Sequence, residues 1–268
     1  MNLLYTIPAA LLLAGALVLA IAIAGAGQLF VHRRFDRQDF ISHNEVGGIM
    51  MAVSGTLYAV VLGFLTVVVW EHYLEARQLV VAESDSAIDA WHTAVGMPAS
   101  VRQHVRSDMV QYAKIMPDRE WPLMKKGKYD VVAAAIGMDA IDATGTFVPA
   151  NSSQSNAQSA TLQQLTQMHD ARLQRIAINA EGVSWFEWLI LLIGAACLVG
   201  FCWLFGLRSA RIQMLMTSGV TTILVCMLVL LFELQYPFRS AIGIGPEAWR
   251  GALDHIHEMQ RGGLMNMR

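Results

Sequence analysis

The sequence predicts an all-α, polytopic membrane protein with four transmembrane helices and a helical extramembrane stalk between spans two and three. Three observations carry this prediction. Only 15% of the 268 residues are charged and 55% are hydrophobic, against roughly 25% charged in an ordinary soluble domain. Four runs, at about 7–30, 47–70, 185–207 and 212–235, are apolar enough to be spans, because a helix needs ~20 such residues to cross the bilayer core. No stretch alternates apolar and polar residues with the period of two that marks a strand.

The first run has no Lys or Arg before it. It is also longer than the ~7–15-residue apolar core of a secretory signal, so it reads as a retained span. Trp and Tyr collect at membrane interfaces. Four spans put Tyr5, Trp70 with Tyr73, Trp185 with Trp188, and Tyr236 with Phe238 on one side. The short loops on the other side carry Arg33, Arg34 and Arg37, then Arg208 and Arg211. The positive-inside rule places those loops in the cytoplasm, and both termini and residues 71–184 outside. Arg77, Arg172, Arg175, Arg239 and Arg250 pull the other way. The expected divisions are 1–70, 71–184, 185–235 and 236–268.

The second span has a feature that the others lack. Gly48, Ala52, Gly55, Ala59 and Gly63 form a small-residue stripe, of the kind that lets helices approach closely in lipid. Ser54, Thr56, Tyr58 and Thr66 add hydroxyls. Two readings follow. The span is packed inside the bundle, with Gly48, Ala52 and Gly55 as helix-packing positions. Alternatively it lines a polar path, with Ser54, Tyr58, Ala59, Gly63 and Thr66 facing the pore and Glu71 and His72 at its mouth.

Beyond Trp70 the chain continues without Gly or Pro to Val95. Pro98 suits the first turn of a helix, and Val101, Val105, Met109, Tyr112 and Met116 then share one face. Pro117 is expected to end that helix and DREWPLMKKGKYD to be a turn-rich connection. A short helix follows over about 129–143, then a polar, flexible stretch over 149–159. The last stalk helix places Leu162, Leu165, Leu173 and Ile176 on its apolar stripe, with His169 packed there, and runs into the third span. Pro237 breaks the fourth span's helix. The tail PEAWRGALDHIHEM reads as amphipathic, lying against the stalk or the membrane.

Several chemistries are excluded. Net charge is −2, so no basic field for nucleic acid exists. Cys197, Cys202 and Cys226 all lie in apolar runs and read as packing residues. His255 and His257 are two apart, so on a helix they face different ways, whereas metal pairs favour a spacing of four. No metal and no cofactor is expected. There is no phosphate-binding glycine loop, nucleophile elbow or HExxH, so no enzymatic activity is expected.

The run YAVVLGF, the helix with LEARQLVVAES, the EWPLM motif, the late QRI helix and the tail LQYPFRSAIGIGPEAW occur in this order. Together they resemble a bacterial bestrophin-like family of integral membrane proteins of unknown function, over nearly the whole chain. The layout is also similar to bestrophins themselves, which are pentameric anion channels. The resemblance implies a homo-oligomer, with five subunits favoured, in the bacterial inner membrane. Its second span would face a shared axis, and its large region would lie in the cytosol. The alternative is a membrane-anchored scaffold or sensor whose stalk binds a partner protein through apolar faces near Tyr112 and Leu165. The helical phase of Ser54, Tyr58 and Thr66 discriminates between them. A face towards a shared axis favours the pore, and a face towards the chain's own spans favours the scaffold.

Overall fold

The computed structural model describes residues 5, 7–35, 40, 41, 43–207 and 209–265. Arg37 and Arg208 of the topology argument lie outside them. No strand occurs among the described residues. Four helices are long and apolar enough to cross a membrane: α1 (Ala9–Arg34), α2 (Asn44–Thr93), α7 (Trp185–Trp203) and α8 (Ala210–Leu234). Between α2 and α7 come α3 (Ala99–Ile115), the short α4 (Trp121–Met124), α5 (Val131–Thr146) and α6 (Ser152–Ala180). The tail is α9 (Glu247–Met265). The chain divides into two compact units. Unit 1 is Met1–Glu71, Gly182–Gln235 and Ser240–Ile242, and unit 2 is His72–Glu181, Tyr236–Arg239 and Gly243–Arg268.

In unit 1, α1 lies closely along α8. Lipid tails are as apolar as leucine, so helices here associate by close packing rather than by expelling water. Glycines let α1 approach both neighbours: a Cβ on Gly27 would stand 2.3 Å from the Trp203 ring at the end of α7, and one on Gly25 would stand 3.3 Å from the Met214 sulfur of α8. Buried Thr221 donates to the Thr217 carbonyl at 2.8 Å, so its hydroxyl is satisfied within its own helix. At one end Tyr5 stacks on Phe232 and accepts from Gln235, whose carbonyl takes the Trp188 indole N–H at 3.1 Å. The α7 helix does not continue α6. Residues 181–184 intervene, and Ser184 with Glu187 closes a capping box that satisfies two orphan N–H groups.

Unit 2 has its own core. Ala76, Val80, Ala87 and Ala90 from α2 meet Val105, Met109 and Tyr112 from α3 and Met116 just beyond its end, with Leu165 and Met168 from α6 and Trp249, Ala252 and Ile256 from α9. The face expected on α3 is therefore the core face, and the tail packs on the stalk. Tyr112 and Leu165 are fully buried, so the faces that were to bind a partner are consumed within the unit. Phe238 is also core, edge-on to Trp121, rather than an interface aromatic.

Three local expectations are corrected. Pro117 does not end the helical path: the backbone widens into a π turn over Met116–Glu120, which accommodates the missing N–H, and α4 follows. This carries Glu120 and Trp121 inward rather than into a surface connection. The polar stretch after Pro149 is helical, because Asn151 accepts from the Gln154 N–H at 2.9 Å while Gln154 accepts from Ala150 N–H at 2.8 Å. That reciprocal cap starts α6 within the serine- and glutamine-rich segment. The buried stripe of α6 is Thr161, Leu165, Met168, Arg172, Arg175 and Asn179, and Leu173 is half exposed. Two arginines take the place that was assigned to leucine and isoleucine, and the reason lies in what they meet.

Candidate functional site

Among the described residues, two places stand out for polar groups set in apolar surroundings. The first is the buried network of unit 2. Arg175 and Glu83 are both fully buried. Arg175 Nε donates to Glu83 Oε2 at 2.6 Å and Nη2 to Oε1 at 3.0 Å, a two-pronged pair. Tyr112 donates its hydroxyl to the same Oε1 at 2.7 Å. Arg172 donates to both oxygens of Glu120, at 3.1 and 3.2 Å, and to the Asp130 carbonyl at 2.8 Å. The Asp130 N–H closes on Glu120 Oε2 at 2.6 Å, and Asp130 itself caps α5 through Val132. The Arg175 guanidinium also stands 5.0 Å above the Trp121 ring. Burial by itself would lower the arginine pKa, but Glu83 and Glu120 outweigh it and raise it. Burial and Glu83 hold the Tyr112 hydroxyl well above its usual value. Such a network is costly wherever a member is left unsatisfied; here, among the described residues, Arg172 Nε has no hydrogen-bond partner, while Asp130 Oδ2 is paired with Arg119 Nε at 2.8 Å. It ties α2, α3, the π turn and α6 together. The sequence contained one sign of it: Arg172, Arg175 and Asn179 recur in phase with Leu165 and Met168.

The second place is the membrane half of α2. Asn44 anchors its start: the side chain donates to the Gly206 carbonyl at 2.8 Å and accepts from the Gly206 N–H at 2.9 Å. Further along, Tyr58 donates to the Leu191 carbonyl at 3.2 Å. A Cβ on Gly194 would stand 2.5 Å from the Tyr58 ring, so α7 makes room for that ring with its glycine. Leu62 and Val69 are buried on the same side. This is the face that α2 turns to the chain's own spans.

The small residues lie elsewhere on the helix. At ~100° per residue, Ala52, Thr56, Ala59 and Gly63 sit roughly 100° round from Tyr58, Leu62 and Val69, and all four are exposed within the chain. A Cβ on Gly48 or Gly63 would meet nothing within 4 Å. Half-buried Gly55 and Thr66 lie between the two faces, with Gly55 facing Leu198 at 4.0 Å, and half-buried Ser54 lies on the far flank. Thr56 and Thr66 donate to the Ala52 and Leu62 carbonyls at 2.9 and 2.8 Å. Their hydroxyl protons are used, and their oxygens remain able to accept. Glu71 and His72 are exposed, at the last residue of unit 1 and the first of unit 2. Between Glu45 and Glu71 the helix carries no charge. The expected set therefore divides by phase: Tyr58 faces α7, while Ala59 and Gly63 face away from every other helix of their unit.

The chain's fold is similar to a crystal structure of a bacterial bestrophin homologue from Klebsiella pneumoniae carrying a Leu-to-Thr substitution. The TM-score is 0.70 at 13% identity, over 91% of this chain and 98% of that one. A crystal structure of a membrane protein gives 0.68 at 12% identity over 91% and 98%. The Klebsiella homologue with an Ile-to-Thr substitution gives 0.66 at 14% identity over 90% and 98%. Identities this low establish a shared fold. No curated protein matches the sequence. The Bestrophin-like domain, as a family, matches residues 18–249, most of the chain, and with the four apolar helices this makes the protein an integral membrane member of the Bestrophin-like family.

Proposed function

We propose that the protein is the subunit of a homo-oligomeric membrane channel for small anions, with the small-residue face of α2 lining its pore. The observation that carries this reading is the unfilled stripe of Ala52, Thr56, Ala59 and Gly63. Small and hydroxyl-bearing residues gain nothing from facing lipid, and no helix of the same unit covers them. Four spans in one chain enclose little space, so a pore along this stripe needs further copies around an axis. Family membership supports that arrangement, favours five copies, and is the ground for choosing anions and a bacterial inner membrane. Thr66 sits at the edge of the lining. Tyr58 holds α2 to its own bundle, Ser54 lies on the far flank from the lining, and Glu71 and His72 stand at the mouth.

An uncharged lining selects by desolvation and pore width rather than by a ring of fixed charge. Such a pore is sensitive to added bulk. Gly63→Trp places an indole where a Cβ meets nothing within 4 Å and Ala59→Trp places one at an exposed position, so folding is spared and the lumen is filled. In proteoliposomes, chloride flux is expected to fall to background in both variants while the subunit count in nanodiscs stays that of the parent. Unchanged flux with intact assembly would remove these positions from the pore. A monomeric or dimeric parent would remove the axis itself. The scaffold reading has lost the partner surface it rested on, since Tyr112 and Leu165 are internal.

A further inference from the structure

One cluster of ligand-type side chains in unit 2 belongs neither to the buried arginine network nor to the α2 stripe. His104 and Asp108 are four residues apart on α3 and therefore project side by side. Asp139 comes from α5, which packs along α3. His104 Nε2 lies 3.4 Å from Asp108 Oδ2 and 3.0 Å from Asp139 Oδ2. The three ligand atoms all fall within 4.8 Å of one another. Asp108 is the unusual member. Its side chain is nine-tenths buried, and its Oδ2, the atom turned into the cluster, accepts no hydrogen bond. Among the described residues, no Lys or Arg pairs with it. Two carboxylates thus converge on an imidazole edge, one of them with an oxygen held out of water without a hydrogen-bond donor. An uncompensated buried carboxylate oxygen is costly, and a cation would remove that cost.

We propose that His104, Asp108 and Asp139 form a three-ligand site for a divalent transition metal of the Zn²⁺ class. The geometry suits that class. Zinc sits about 2.0–2.2 Å from nitrogen and carboxylate ligands, which sets ligand atoms of a tetrahedral site roughly 3.4 Å apart. The His104–Asp108 edge already has that length. The His104–Asp139 edge must open by a few tenths of an ångström, and the Asp139 side chain, 63% exposed, has the freedom to do so. The imidazole nitrogen favours zinc-like ions over Ca²⁺ and Mg²⁺, which prefer all-oxygen shells. Asp108 supplies the fixed, buried ligand and Asp139 the adjustable one. The outward side of His104 leaves the fourth position to water. A bound ion clamps α3 to α5, two helices otherwise joined through apolar side chains.

The test uses the full chain, tag removed and stripped with chelator, in nanodiscs. Zn²⁺ is titrated by calorimetry and Co²⁺ is followed by its visible absorption, with Ca²⁺ and Mg²⁺ as competitors. One Zn²⁺ per chain is expected, unaffected by excess Ca²⁺ or Mg²⁺. His104→Ala and Asp139→Asn should each weaken binding by at least about tenfold, the usual scale for disturbing a metal shell. Asp139→Asn changes an exposed side chain, so the fold survives it. His255→Ala should bind as the parent does, although His255 stands 3.4 Å from His92 and forms the other histidine pair. No binding, binding unchanged in Asp139→Asn, displacement by Ca²⁺ or Mg²⁺, or loss only in His255→Ala would each overturn the assignment.

Discussion

Replacing Arg175 by Met tests whether the charge network is the keystone of unit 2. Methionine matches the arginine stem in length and can lie beside Met124 and Met116, which the guanidinium already touches. What it removes is both bonds to Glu83, the 3.4 Å bond to Glu120 Oε1 and the 5.0 Å stack on Trp121. Glu83 is then a fully buried carboxylate whose one remaining donor among the described residues is the Tyr112 hydroxyl at 2.7 Å. Breaking a buried pair from one side costs about 3–5 kcal/mol, because the remaining charge has lost its solvent and its partner. Removing both charges is much cheaper. Arg175→Met with Glu83→Gln leaves a neutral amide that can still accept from Tyr112, and the cost should fall to roughly 1–2 kcal/mol. The assay is thermal unfolding of the purified protein in one detergent, with hydrogen exchange of α6 amides as a local readout. The single variant is expected to be less stable than the double variant and to exchange faster along α6. If the single variant loses under about 1 kcal/mol, or the double variant is the weaker of the two, Glu83 is not desolvated in the way the distances imply.

Two further outcomes follow from local geometry. Gly194→Ala sets a methyl 2.5 Å from the Tyr58 ring, which is held by its Leu191 bond; overpacking of this kind costs about 1–3 kcal/mol, and Tyr58→Ala in the same chain should return part of it, whereas a neutral Gly194→Ala would mean that α2 and α7 are less tightly joined. Burial, opposed by His104 and helped by Asp139, raises Asp108 from 3.8 to about 6. A raised carboxylate stabilises the fold when protonated, so metal-free protein should lose on the order of 1–3 kcal/mol between pH 4 and pH 6. Asp108→Asn should flatten that slope in unfolding measured with chelator present, and a slope of the parent's size in the variant would locate the titration elsewhere.

The membrane helices were legible because lipid imposes a rule that side-chain pattern obeys directly: a span must be apolar along ~20 residues. The stalk was legible only where its core face is apolar. Val105, Met109, Tyr112 and Met116 reveal α3 by spacing alone. The α6 helix defeats the same reasoning, because its buried stripe contains Arg172 and Arg175, and periodicity assigns charges to solvent. Their partners, Glu83 and Glu120, lie 92 and 52 residues away in the chain, a separation that no local pattern records. The helical start at Asn151 was hidden for a different reason. Serine, asparagine and glutamine resemble a loop in composition, and only the reciprocal cap with Gln154 makes that sequence a helix N-terminus.

The α2 stripe could be recognised as unusual in the sequence, but its use depended on phase. Hydroxyl-bearing and small residues occupy more than half of the helix circumference, so the sequence permits both packing and lining. Tyr58 separates the two. Its ring fits only where Gly194 leaves space, and this single fit turns Leu62 and Val69 towards the bundle and leaves Ala59 and Gly63 facing away from it. Rotating α2 by one residue would carry the stripe ~100° round, towards the packed face. The tyrosine therefore belongs to the channel hypothesis as an orienting residue: it stays out of the lumen and determines which residues can reach it.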